Sequence, residues 1–402
     1  MKTKDKYICS SALGMKFANA GKSREVCEFI AEYRRAVSVF VENFWESAKK
    51  GELKAMPGTA LCKIKSWLTA RALQCAAKQA AGICRGVYAK NLRRLKMAED
   101  LWQRGDKKAS KKLRDIAHRS VVGAAEISRV EPQLDERFFE FSESRDKNSF
   151  DFWLELKGFD SRTRAKSITI PLRGTKHWAK FREAKLLPSI RVSEKTATFC
   201  FEREFSPKPG ETIGIDIGLK STLSTSRGVQ IRVGNHGYTL EDINAKLTRR
   251  KKGSAGFQRA SSHRDNFIRE SVNKLNLSGG TARLENIKNM KRGRRVSRKL
   301  SHWSSRDILA AIKSHCQSRG VRVELVNPRY TSQRCSNCGW VKEINRKREL
   351  FECVSCGYSA NADLNAALNI QFVGGKPAAS GNSKTGFYWL PPASYSPRGP
   401  EI

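Results

Sequence analysis

Two cysteine pairs, Cys335-x-x-Cys338 and Cys353-x-x-Cys356, stand fourteen residues apart, and each is followed by a glycine, Gly339 and Gly357. Knuckles of this shape turn four thiolates toward one tetrahedral centre, because the glycine after each pair permits the tight turn that closes the loop. The ion expected there is zinc. A four-sulfur shell leaves no open coordination position, so such a zinc stabilises the fold and does no chemistry. Arg334, Lys342, Arg346, Lys347 and Arg348 lie around the pairs and suit a phosphate backbone. The other seven of the eleven cysteines read as small buried hydrophobes, and the odd count with one metal-type cluster suits a reducing cytoplasm.

Three acids carry the second chemistry. Asp216 lies in the apolar run Thr212-Ile213-Gly214-Ile215-Asp216-Ile217-Gly218, where a buried charge is costly unless a cation compensates it. Taken alone, an Asp-x-Gly after a strand fits a turn or a cap equally well. Glu285 sits in Arg283-Leu284-Glu285-Asn286, after a stretch less apolar than a core strand. Asp363 opens a helix over 361–370, with Leu364, Ala367 and Leu368 expected on its packed face. Acids from three separate elements of one domain can converge on a pair of magnesium ions, which activate water and stabilise the entering and leaving oxygens of a phosphodiester.

The elements that must position these groups follow from periodicity. Residues 22–120 read as helix: Val26, Phe29, Ile30, Tyr33, Val37, Phe40, Val41 and Phe44 fall at steps of three and four after Ser23 as N-cap. A second stripe runs through Leu61, Ile64, Leu68, Ala72 and Cys75. Over 138–205 the period becomes two: Phe150, Phe152, Leu154 and Leu156 alternate with Asp151, Trp153, Glu155 and Lys157, Ile168, Ile170 and Leu172 alternate likewise, and Ala197, Phe199 and Phe201 form one arm of a hairpin. Met1–Lys6 is basic and Tyr7–Met15 mildly apolar, yet Ser10, Ser11, Gly14 and Lys16 favour an opening strand over a secretory leader. The helices therefore read as an insertion into a β module. A Pro/Gly linker at 206–210 leads to a third domain, with strands at 212–218, 221–225, 229–233 and 321–326 and a helix over 304–319. From Gly374 on the chain reads as an irregular tail.

Charge identifies the partner. The 402 residues carry 77 Lys plus Arg against 39 Asp plus Glu, a net +38, while 39% hydrophobic content suffices for globular packing. The partner is expected to be a polyanion. No window of eighteen apolar residues occurs, so a membrane-spanning helix is not expected. Between Arg85 and Arg119 stand twelve Lys or Arg against four acids, and between Lys246 and Arg306 eighteen against three. Arg249, Arg250, Lys251, Lys252, Arg292, Arg294, Arg295, Arg334 and Arg348 are the candidate nucleic-acid contacts. Trp102, Trp153, Trp178 and Trp303 are stacking platforms or, as the readier reading, core.

The run 214–218, the segment Leu284-Glu285-Asn286, Thr331-Ser332-Gln333 before the cysteines and the run 363–370 occur in that order. Together they resemble the RuvC-like nuclease domain of TnpB, the transposon-associated RNA-guided endonuclease, and of the compact type V CRISPR effectors, over residues 211–372. The resemblance implies an α+β multidomain chain: a β-barrel-like wedge domain (1–21 and 121–205) with a helical recognition domain (22–120) inserted. An RNase H-like domain (206–330 and 359–372) with a zinc-ribbon insert (331–358) and a tail (373–402) follow. It implies that Asp216, Glu285 and Asp363 hold two magnesium ions and cut DNA, and that Cys335, Cys338, Cys353 and Cys356 hold zinc. The implied partners are a guide RNA and a target duplex opened into a heteroduplex and a displaced strand, in a prokaryotic cytoplasm beside the nucleoid. Such proteins act as monomers or homodimers. Many have an acid two residues before the last catalytic Asp, where this chain has Asn361. Two other readings stand beside this one: a nuclease-silent nucleic-acid-binding protein acting as repressor or transposition accessory, and an unguided structure-specific nuclease.

Overall fold

The structure is a computed structural model, and it describes residues 6–54, 64–123, 127–144, 149–162, 167–218, 220–287, 304–372 and 382–389. Two compact units divide the chain, one over Lys6–Glu204 and the other from Phe205 on. No helix among the described residues is long and apolar enough to cross a membrane.

The N-terminal unit opens with strand β1 (Lys6–Gly14), followed by helices α1 (Ala20–Lys49), α2 (Ala70–Gln103) and α3 (Lys107–Arg119). Strands β2 (Gln133–Asp135), β3 (Phe139–Glu143), β4 (Phe152–Lys157), β5 (Ser167–Leu172), β6 (Lys185–Val192) and β7 (Thr196–Glu204) complete it. β1 pairs antiparallel with β7 over its whole length, from Lys6 against Glu204 to Gly14 against Thr196, in a sheet of order β1-β7-β6-β2. The three helices thus enter the chain between two neighbouring strands of one sheet. The expected stripe of α1 is buried, and α2 meets α1 with a face of small residues, Ala72, Ala76, Ala77, Ala80, Ala81 and Cys84, that lets the two axes approach closely.

Two helix starts differ from expectation. α1 begins a turn before Ser23, because the Asn19 side chain accepts a 2.9 Å bond from the Lys22 N–H and caps it there. Leu61, at which the second stripe begins, lies outside the described residues. Leu68 instead bridges Asp160 in extended backbone, and α2 starts after Thr69, whose hydroxyl accepts from the Ala72 N–H.

β3, β4 and β5 form a second sheet, with Phe152, Leu154 and Leu156 buried on one face. Trp178 is core: its ring packs 5.1–5.3 Å from those of Phe141, Phe152, Phe199 and Phe201. Trp102 is not. It is 45% exposed at the end of α2, with Lys107 and Arg114 each 5.4 Å from its ring, and Trp153 faces outward on β4. The core reading fails for these two because each falls on the solvent side of its element's period. Trp303 lies outside the described residues.

The C-terminal unit is built on strands β8 (Thr212–Asp216), β9 (Leu223–Thr225), β10 (Gln230–Ile231), β11 (Thr281–Glu285) and β12 (Arg322–Val326), in the order β10-β9-β8-β11-β12. β8, β11 and β12 are parallel, whereas β9 runs against β8 and β10 against β9. Helices α4 (Leu240–Arg249) and α5 (Ala255–Lys274) connect β10 to β11, α6 (Ser305–Ser318) precedes β12, and α7 (Ala362–Phe372) packs on β8. The α7 contact needs Gly214: a Cβ there would stand 1.9 Å from the carbonyl oxygen of Ala367.

Between β12 and α7 lie the short strands β13 (Trp340–Val341), β14 (Arg346–Lys347), β15 (Leu350–Glu352) and β16 (Ser359–Asn361). β14, β15 and β16 form one small sheet. The tail is not wholly irregular, since β17 (Phe387–Tyr388) pairs with β13 and the Tyr388 ring meets that of Trp340 edge-on at 4.7 Å.

Candidate functional site

The sheet brings two of the acids together. Parallel pairing sets Leu284 against Ile215, so Glu285 and Asp216 end adjacent strands at the same carboxyl edge, the edge at which open α/β sheets bind ligands. α7 delivers the third. Its start is fixed by Asn361, whose side-chain oxygen accepts from the N–H groups of Asp363 (3.0 Å) and Leu364 (3.2 Å). The same oxygen accepts from the Gln230 amide at 2.7 Å, which ties the helix start to β10. An acid in place of Asn361 could not receive these bonds without adding a fourth charge to the cluster.

Two of the carboxylates act on the third. Burial, then the charges of Glu285 and Asp363, push the Asp216 carboxyl up to about 7, against a pull downward from Arg346. Burial raises Glu285 as well, opposed by the hydrogen bond that the Thr331 hydroxyl donates to its Oε1 and by Arg346. Asp363 is 7% exposed, and the Arg346 guanidinium reaches it from β14 with Nη2 at 2.9 Å from Oδ1. One guanidinium beside three acids leaves an excess of negative charge, although among the described residues only the cysteines lie close enough together to form a ready metal-ligand group.

The cysteines also meet. Their four sulfurs all lie within 4.8 Å of one another, with Cys335 to Cys356 at 3.7 Å and Cys338 to Cys353 at 3.6 Å. A tetrahedron of sulfurs about 2.3 Å from zinc has edges of about 3.8 Å, so the cluster has the dimensions of a zinc shell. The two knuckles are built alike. The Cys335 N–H donates to the Trp340 carbonyl and the Cys353 N–H to the Tyr358 carbonyl, both at 2.8 Å. Gly339 and Gly357 take φ of +81° and +72°, the left-handed turn expected of them. Burial raises the Cys335 thiol and pushes the free Cys338 thiol up to about 11, so thiolates at these two positions are favoured by a cation.

Of the candidate nucleic-acid contacts, Arg249, Arg250, Lys251 and Lys252 are exposed at the end of α4, and Arg348 is exposed on the turn between β14 and β15. Arg292, Arg294 and Arg295 lie outside the described residues. Arg334 is a correction. It is 1% exposed, and its guanidinium donates to the Trp389 carbonyl at 2.7 Å and to the Asn369 side-chain oxygen at 2.5 Å, so it holds the ribbon and cannot reach a phosphate.

α7 corrects a second expectation. Leu364 and Leu368 are only half-buried, while Asn365 and Asn369 are fully buried. Asn365 accepts from the Ser336 N–H (3.0 Å) and donates to the Arg334 carbonyl (2.8 Å), and Asn369 donates to the carbonyls of Thr331 (2.9 Å) and Arg334 (2.7 Å). This ladder fastens the first knuckle to the helix that carries Asp363. Two asparagines four apart in an otherwise apolar helix were its sequence signal. The sequence offers Thr331 only as part of a motif, and Arg346 only as one of several basic residues.

An open, mostly parallel sheet with two acids at its carboxyl edge and a third on the adjoining helix thus lies beside a four-cysteine cluster. Comparison with known proteins agrees. Residues 305–370 match the family model described as Cas12f1-like, TNB domain. The chain is 39% identical over 119 residues to the CRISPR-associated endodeoxyribonuclease Cas12f1 of Sulfoacidibacillus thermotolerans, a stretch covering 29% of this chain and 27% of that protein. It is 36% identical over 85 residues to a TnpB-like protein of Aquifex aeolicus, covering 20% of this chain and 28% of that one. The chain thus spans about a quarter of the length of these relatives. The fold is similar to that of the mini-RNA-guided endonuclease CRISPR-Cas_phi3, with a TM-score of 0.51 at 12% identity over 94% of each chain. The family resemblance carried by the motifs is met by these matches: over part of its length the chain is similar to TnpB-like and Cas12f1 proteins.

Proposed function

We propose that this chain is an RNA-guided DNA endonuclease that hydrolyses phosphodiesters at the Asp216–Glu285–Asp363 cluster. The observation that supports the reading is the parallel pairing of β8 with β11, which ends in Asp216 and Glu285 at one sheet edge, with Asp363 at the start of the α7 helix that packs on β8, in a strongly basic chain. Asp216, Glu285 and Asp363 would hold divalent cations, magnesium by the chemistry of an all-oxygen donor set. Such ions, when bound, supply an activated water and neutralise the charge on the entering and leaving oxygens. The chain's own residues position these ligands: Thr331 orients Glu285, Asn361 fixes the helix turn that presents Asp363, and Arg346 adds a fixed positive charge beside it. Cys335, Cys338, Cys353 and Cys356 would hold a structural zinc.

On the same reading the β module and helical block of the N-terminal unit are the wedge and recognition domains, and the partners are a guide RNA and the DNA it pairs with. Relatives named as a Cas12f1 endodeoxyribonuclease and a TnpB-like protein support it.

The test is expression of the full chain, sequencing of the RNA that copurifies, and a cleavage assay on DNA complementary to a reprogrammed copy of that RNA. Cutting that follows the guide and disappears in Asp216→Ala, with DNA binding retained, is the expected result. Copurification of no RNA of defined size, or undiminished cutting by the variant, would overturn the proposal. Guided binding without cutting by the unaltered chain would favour a silent repressor.

A further inference from the structure

The C-terminal unit contains a cavity of about 590 Å³ that none of the assigned groups uses. One wall is a face of α5, with Gln258, Arg259, Ser262, His263, Asn266 and Glu270 recurring at steps of three and four. The other wall is the turn 234–238 that follows β10, and it presents His236 and Tyr238. Cavities of this size hold small organic ligands.

The position of the turn relates the cavity to the acids. β9 runs against both β8 and β10, so β10 points the same way as β8 and leaves the sheet at the edge where Asp216 and Glu285 end their strands. β10 lies two strands from β8, about 10 Å at the usual strand spacing. Gln230 on β10 bonds to Asn361 at the start of the Asp363 helix, and Arg232 bonds to Glu349 at 3.2 Å, so the root of the turn is anchored to the site.

The lining selects the ligand. Tyr238 and His263 meet edge to face, with ring centroids 5.4 Å apart, and the Lys246 ammonium lies 3.6 Å from the Tyr238 centroid. Arg259, in the second turn of α5, offers an anion a guanidinium at one end of the cavity. Glu270 lies three turns further on. Its charge is held by the Asn235 N–H at 2.7 Å and by Lys274 at 2.8 Å, which leaves that end of the cavity a hydrogen-bond acceptor and hostile to phosphate. Between the ends the two amides and a hydroxyl can donate and accept. The ligand is therefore anionic at one end and flat, with donors and acceptors, at the other. A cavity of similar size in the N-terminal unit, about 640 Å³, is lined by Glu25, Glu28 and Glu32 and has the wrong sign for such a molecule.

We propose that the α5 cavity holds one unpaired nucleotide of a nucleic-acid strand that passes the carboxylate edge, with its phosphate at Arg259 and its base among Gln258, Ser262 and Asn266. The inference rests on the reading of this chain as a nucleic-acid-cutting protein, and it adds a place where a strand is gripped one nucleotide at a time. Amides can bond to the edge of any base, so the grip is tolerant of sequence.

Photocrosslinking of the full-length protein tests it, with RNA labelled by 4-thiouridine in the expressing cells in one arm and single-stranded DNA containing 4-thiothymidine in the other. Crosslinked peptides are mapped by mass spectrometry in the wild type and in Asn266→Ala and Ser262→Trp. The expected result is crosslinking within 234–270, at Tyr238 or His263, falling about fivefold or more in Asn266→Ala, as one lost hydrogen bond would give, and further in Ser262→Trp. Overall affinity should stay within about twofold, because the other phosphate contacts remain. A signal in the RNA arm identifies the strand as guide, and one in the DNA arm as target or displaced strand. Normal binding with crosslinks confined to other segments would overturn the cavity proposal and leave the nuclease reading standing. Failure of both arms to bind would overturn the two together.

Discussion

Arg346 separates two effects that share one place. Its guanidinium pairs with Asp363 and draws Asp216 and Glu285 toward their charged forms, yet a fixed cation beside three acids also competes with any divalent ion they hold. On the proposed function, its value to catalysis would lie in the charge that develops on a phosphodiester as it is attacked, where a preorganised donor acts most strongly. Arg346→Gln keeps a hydrogen-bonding group and removes the charge. We expect single-turnover cleavage to fall by about 10²-fold, the scale of one lost transition-state donor, while divalent-ion affinity measured by calorimetry is unchanged or tighter. Loss of ion affinity in parallel with the rate would show that Arg346 only organises the acids. Arg334, equally basic and nearby in sequence, can take no such part, because its guanidinium is consumed by Trp389 and Asn369 inside the protein.

At the scale of elements, the ribbon and α7 act as one body joined by side-chain amides. Removing Asn369 leaves the carbonyls of Thr331 and Arg334 and a buried guanidinium short of partners, and each such loss costs about 1–3 kcal/mol, more where a charge is involved. Asn369→Leu should therefore lower the melting temperature of the protein by several degrees and reduce cleavage while zinc, measured by mass spectrometry, stays bound. Cys353→Ser should do the reverse, losing zinc first and stability as a result. A Cys353→Ser protein with a full equivalent of zinc would remove the ribbon from the account.

These elements were unequally legible in the sequence. The knuckles could be read because their geometry is local: a glycine with φ near +80° must follow the second cysteine, and the spacing shows it. Strand β4 could be read because one face of a sheet buries every second residue. The packed face of α7 could not. Leu364 and Leu368 obey helical periodicity, but the surface offered to the helix by residues 331–336 is a row of backbone groups, and only amides satisfy those. Asp216 and Glu285 could be proposed as partners from residue type, but it is the parallel pairing of β8 with β11, a contact across some seventy residues, that makes them neighbours.

For the whole molecule, chemistry and affinity have separate sources. The acids that would cut occupy one sheet edge, whereas the +38 net charge is spread over exposed segments such as α3 and the end of α4, so grip on the polyanion should not depend on the cutting groups. Neutralising Z phosphates of a duplex releases counterions and gives a slope of about −0.9Z in log affinity against log salt. With about eight phosphates engaged, affinity should fall by about 10⁴-fold between about 50 and 200 mM salt. Titration of labelled DNA into the wild type and into Asp216→Ala should return the same slope, because Asp216 touches no phosphate-binding cation outside its own cluster. Charge reversal of Arg249, Arg250, Lys251 and Lys252 should flatten the slope by one increment per phosphate lost, and leave the rate of cutting at saturation close to wild type. A slope unaltered by that change would mean that the α4 terminus faces solvent and that the strand crosses the molecule elsewhere, which would move the search for its path to the basic face of α3.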